Sequence, residues 1–205
     1  MTSATYKNYN DRFKSGLRDH DKRSTDATGP ALVAGAAGFG LGLLAAAGRR
    51  AAVQAVTYAA GDWFEGLKAE HKLARGIMEK LADTTEEDQG KRATLVLQLQ
   101  HAIGKHNVQE EYVVYCILAE HGDTAAANTL NSEHFELKKG LHELEVIGKE
   151  QRPGFLEKLG EIRSVFEAHV TEEETEVFPR LHASLSPEQQ KSLTNRMNRE
   201  GFKVA

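Results

Sequence analysis

A repeat of 63 residues constrains this chain more than any other feature. His71 is followed 35 residues later by His106 and four residues further by Glu110; His134 is followed at identical spacing by His169 and Glu173. A lone HxxxE pair carries little weight, since about one is expected by chance among nine His and thirty acidic residues. Two copies, each with a partner His at the same offset, describe a constellation shared between two halves of a fold. The flanks repeat as well. Glu70 matches Glu133, Arg75 matches Lys138, Leu81 matches Leu144, Leu99 matches Ile162 and Ile103 matches Phe166. Glu111 matches Glu174, Val114 matches Val177, Tyr115 matches Phe178 and Leu118 matches Leu181. These matches fall at helical spacing, as two related helix pairs burying similar faces require.

The pattern predicts helices near 61–82, 91–120, 125–148 and 155–184. Turn-rich breaks separate them at Asp83–Gly90, His121-Gly122-Asp123 and Pro153-Gly154. Pro179 should kink the fourth helix or mark its last turns. Ser186-Pro187-Glu188 reads as cap, first residue and acidic first turn of a short terminal helix. Four long amphipathic helices with short connections make an all-α, up-down-up-down four-helix bundle over 60–205.

Residues 1–59 stand apart: a polar tail, then an Ala/Gly-rich apolar helical extension. Residues 31–48 carry no charge, and twelve of the eighteen are Ala or Gly, so membrane insertion is marginal. Ala34, Gly38, Gly42 and Ala46 form a stripe of small residues that lets helices approach closely. A membrane anchor or membrane-surface segment, a homo-oligomer contact and a Gly/Ala linker all fit. The net charge of −4 argues against a nucleic-acid partner. The single cysteine, Cys116, fits a reducing, cytoplasmic setting, with residues 31–48 attaching the chain to the inner face of a membrane under the anchor reading. Cys116 itself reads as a small apolar residue inside a helix.

An α-helix places residues i and i+4 on one face, so His106 and Glu110 point together, as do His169 and Glu173. Facing inward, they meet His71 and His134 at the bundle centre. Six ligands in two equivalent sets suit two metals: His71 and His106 on one, His134 and His169 on the other, with Glu110 and Glu173 bridging. Imidazole plus carboxylate suits iron, and manganese or zinc less specifically. His20, His101, His121, His142 and His182 lack counterparts and read as surface or capping residues. In the acidic run 172–176, the neighbours of Glu173 read as solvated. Trp63, Tyr115 and Phe178 read as core or site-lining groups.

Glu70-His71, His106-Asn-Val-Gln-Glu110-Glu111, Glu133-His134 and His169-Val-Thr-Glu-Glu173-Glu174 with Val177-Phe178-Pro179 resemble the hemerythrin-like family, the HHE cation-binding domain. The resemblance covers roughly residues 60–200. It implies a four-helix bundle around two carboxylate-bridged non-haem irons, with the four His as terminal ligands. Lys138 stands where oxygen-carrying members have a further His, which counts against reversible oxygen carriage. The expected function is binding or sensing of a small oxidant (dioxygen, peroxide or nitric oxide), or holding iron. No separate acid, base or organic-substrate motif is visible, which weighs against an enzyme. A ferroxidase, a peroxide-decomposing activity, or an interaction protein with a structural metal are the alternatives.

Overall fold

The computed structural model describes residues 57–205, and every described element is helical. The first, α1, spans Trp63–Ala82 and begins where the Asp62 carboxylate accepts the Phe64 and Glu65 amides, each at 3.0 Å. That cap satisfies two of the amides a helix start leaves without partners. α2 spans Gln89–Gln109, widens into a π-helical turn at Glu110–Val114 and continues as α3, Tyr115–Glu120. Gly122 follows with φ +97°, the left-handed conformation that closes a helix cheaply only when no Cβ is present. α4 spans Thr124–Lys149, capped by Asp123 onto the Ala126 amide. α5 spans Phe155–Glu172, passes through a second π turn at Glu173–Val177 and continues as α6, Phe178–Ser184.

The expected 91–120 and 155–184 helices are therefore continuous rods, each with one widened turn. The apolar spacing of residues 91–120 and 155–184 carries no mark of that widening. Pro179 lies in the first turn of α6, directly after the second π turn, where a missing amide proton costs least. The rods pack as a ring: α1 on α2, α2 on α4, α4 on α5, and α5 back on α1.

α7, Pro187–Val204, opens with a capping box in which Ser186 and Gln189 exchange backbone and side-chain bonds at 2.8 and 3.3 Å. It is 18 residues long, where a short helix was expected. Its apolar stripe is single file, Leu193, Met197 and Gly201 at four-residue steps, which makes its length hard to see in composition. α7 packs on α1, α2 and the first π turn, and Thr194 accepts the Trp63 amide at 3.0 Å.

Two apolar cores fill the ring. One gathers Met78, Leu81, Leu99, Ile103, Leu141, Leu144, Ile162 and Phe166; the other gathers Trp63, Leu67, Val114, Leu118, Leu130, Phe178, Leu181 and Met197. On each rod the residues that separate one core from the other are the repeated His and Glu. The tail 1–29, His20 and the apolar segment 31–48 lie outside the described residues. Among the described residues, no helix is long and apolar enough to cross a membrane.

Candidate metal centre

His71 on α1, His106 on α2, His134 on α4 and His169 on α5 all turn inward and are buried. The Nε2 atoms of His71 and His106 lie 3.1 Å apart, as do those of His134 and His169. Glu110 and Glu173 open the two π turns and are fully buried. Glu110 Oε2 stands 2.9 Å from His106 Nε2 and 3.2 Å from His134 Nε2. Glu173 Oε2 stands 3.4 Å from both His71 Nε2 and His169 Nε2. Each carboxylate thus spans one imidazole of each pair. The result is two clusters, His71–His106–Glu110–Glu173 and Glu110–His134–His169–Glu173, with candidate ligand atoms all within 4.8 Å of one another. All six residues singled out in the sequence meet at one place. Placing each glutamate at the head of a widened turn fits the general association of π turns with functional sites.

The outer nitrogens explain the orientation of the rings. Nδ1 of His71 lies 2.8 Å from Glu174, that of His106 lies 3.3 Å from Glu70, that of His134 lies 3.0 Å from Glu111 and that of His169 lies 2.8 Å from Glu133. Each Nδ1–H donates outward to its carboxylate, which leaves Nε2 directed at the centre, free to offer a lone pair to a cation or to carry a second proton in its absence. These four carboxylates repeat at the same 63-residue offset as the histidines. Their role was not foreseen, although their pairing in the repeat was the available signal. Glu174 in particular is no solvated neighbour: it holds His71.

A further shell repeats too. Arg75 forks onto Glu167 at 2.9–3.0 Å and lies 4.0 Å from Glu174; its mate Lys138 lies 2.9 Å from Glu111. Lys138 is half-exposed and points away from the centre.

Tyr115 occupies the space beside the second cluster. Its hydroxyl donates to Glu173 Oε1 at 2.7 Å and lies 3.0 Å from His134 Nε2 and 3.4 Å from Glu110 Oε2. The repeat mate, Phe178, is buried but has no oxygen. The aromatic match between the two residues concealed this difference in the sequence. Cys116 is exposed rather than packed inside its helix. His182 lies 3.1 Å from the Asp62 cap, whereas His101 buries an Nε2 that has no partner among the described residues. A cleft of about 970 Å³ lined by Thr84, Arg92, Gln100, Glu145 and Phe155 contains none of the six residues.

The donor set fits a pair of cations. Four inward imidazole nitrogens and two carboxylates share a space sealed by two apolar cores, and among the described residues Glu110 Oε1 and Glu173 Oε2 have no hydrogen-bond partner. Buried acceptors facing one another are costly unless positive charge lies between them. In the metal-free chain, protons supply that charge. Burial pushes His106 down, but the Glu110 and Glu70 carboxylates more than offset it and raise the imidazole to about 10. Burial works against the Glu110 carboxylate, yet His106 and His134 hold it well below its usual range. Burial and the two glutamate charges push the Tyr115 phenol well above its ordinary value.

No curated protein matches the chain. The family model for the hemerythrin HHE cation binding domain matches residues 64–181, which spans all six inward histidines and glutamates, their four outer carboxylates and Tyr115. With that match lying over a doubled His/Glu site in a helical bundle, the chain belongs to the hemerythrin HHE cation-binding family.

Proposed function

We propose that this protein is a non-haem di-iron protein that binds or senses a small oxidant such as dioxygen, peroxide or nitric oxide. His71 and His106 would hold one iron, His134 and His169 the other, and Glu110 and Glu173 would bridge. The Tyr115 hydroxyl lies beside the second position, where Lys138 stands in place of a further imidazole. The observation that carries this reading is the full set of carboxylate-anchored imidazoles around two spanning glutamates. Imidazole and carboxylate together favour iron over softer-ligand metals, with manganese or zinc as weaker fits.

Two such irons supply reversible electron exchange and open coordination positions for a small oxidant. The chain's own residues do the rest. Glu174, Glu70, Glu111 and Glu133 hold the rings in one tautomer. The apolar cores on either side limit water, and the Tyr115 hydroxyl holds a proton against Glu173. The test is metal content with an absorption spectrum of purified protein, reduced without air and then exposed to oxygen. Two irons per chain with a reversible charge-transfer band support the proposal. Iron-free protein from iron-rich growth would rule it out.

A second reading is oxidative turnover, decomposing peroxide or oxidising ferrous iron. It is favoured by the Tyr115 hydroxyl, a proton donor already within hydrogen-bond reach of the cluster. Steady-state peroxide consumption that falls in Tyr115→Phe would support it, and a reaction that stops after one equivalent would count against it. The single cysteine supports a cytoplasmic setting. Fractionating cells that express the full chain, alongside a chain lacking residues 1–59, tests that location and the membrane or self-association role of residues 31–48.

A further inference from the structure

The internal repeat is broken at one buried charge. Lys105, 5% exposed, places its ammonium 2.6 Å from Glu70 Oε1 and 3.1 Å from the Thr57 hydroxyl, which itself donates to Glu70. Glu70 in turn holds His106. One repeat later the same positions are Ala168 beside His169 and Glu120 in place of Thr57. Glu133, the mate of Glu70, is one-third exposed and meets no such lysine among the described residues. The bonds to histidine differ accordingly: Glu70 lies 3.3 Å from its Nδ1, Glu133 lies 2.8 Å from its own. The remaining two outer carboxylates also meet cations, Glu174 with Arg75 at 4.0 Å and Glu111 with Lys138 at 2.9 Å, but both cations are part-exposed, so solvent screens them far more than the buried Lys105.

A carboxylate already engaged by a cation is a poorer acceptor. It draws the Nδ1 proton less and leaves the imidazole a weaker electron donor to whatever Nε2 binds. We propose that Lys105 makes the two metal positions electronically unequal, so that the first electron entering an oxidised centre settles at the His71–His106 position. This rests on the di-iron reading above. In the step, a one-electron donor converts one of two ferric ions to ferrous at His71–His106, and the His134–His169 ion stays ferric.

The test uses the full chain loaded with ⁵⁷Fe, its iron counted first. The chain is then poised through a mediated redox titration, with Mössbauer spectra reporting the ferrous fraction. Lys105→Met should lower the ferrous-to-ferric ratio about tenfold at the midpoint of the first step, at the low end of effects seen for outer-shell partners. Glu70→Gln should raise that ratio, and the two changes together should return it near the starting value. Glu133→Gln should move only the second step. A cycle with this change of sign cannot come from loosened packing, which would move every variant the same way. Two irons with Lys105→Met and Glu70→Gln shifting in one direction, shifting both steps together, or shifting neither would overturn the proposal. A chain without two irons would overturn the di-iron reading and this inference together, and the iron count separates that case from the others.

Discussion

At the scale of single residues, a carboxylate behind each histidine does two things at once. It fixes which nitrogen is bare, and it makes that nitrogen a better donor. Glu174→Gln leaves a group that can still accept from His71 Nδ1 but brings no charge. We expect metal affinity at the His71–His106 position to fall about tenfold, with little change in helical content. Competition with a coloured chelator measures it, and an unchanged affinity would mean that Glu174 only fills space. The convergence of the six inward histidines and glutamates was legible from the sequence because their spacing repeats. The outer carboxylates were half legible: the repeat marks Glu70, Glu111, Glu133 and Glu174, but spacing alone does not say which histidine each one reaches. Tyr115 was the hardest residue to read, because Tyr and Phe are alike as core residues and differ by one oxygen whose use depends on where the helix aims it.

At the scale of elements, the helix limits follow from caps and breakers and were readable to within a few residues. The two π turns were not, because an extra residue in a turn leaves the apolar pattern almost intact. Their effect is testable. Tyr112 lies in the first π turn and is two-thirds exposed, so deleting it should let the turn close to an ordinary α-helix at little packing cost. We expect the chain to remain helical by circular dichroism and to bind less than two metals, because Glu110 is then aimed differently. Full metal loading in that variant would show that the widened turn is dispensable. For α7 the question is whether it is part of the folding unit. Leu193→Ala empties a buried position on its sparse stripe and should cost about 2–5 kcal/mol. A melting temperature equal to that of the parent would show α7 to be peripheral.

At the scale of the whole molecule, the centre governs how stability depends on pH. In the metal-free chain, His106 is raised from 6.5 to about 10, so its contribution is fully present below 6.5 and is lost as pH rises through about 10. Glu110 is depressed below 4.5, so its contribution is present above 4.5 and is lost as pH falls. The metal-free chain should therefore be most stable between roughly pH 4.5 and 6.5. Metal binding has the opposite preference, since the cation displaces the proton on His106. We expect proton release on metal addition in unbuffered solution at pH 7, and affinity that rises with pH. Absence of released protons would mean that His106 is not a ligand.

Among the described residues, the layer of histidines and glutamates also divides the interior into an upper and a lower half that share no apolar side-chain cluster. Cohesion across that waist depends on positive charge, whether carried by protons or by metal. Removing the metal at alkaline pH takes away both. The first backbone amides to exchange with solvent should then be those of the turns around Glu110 and Glu173, midway along their rods, ahead of the deep turns within either core. The protein would come apart at its middle, with each end still packed.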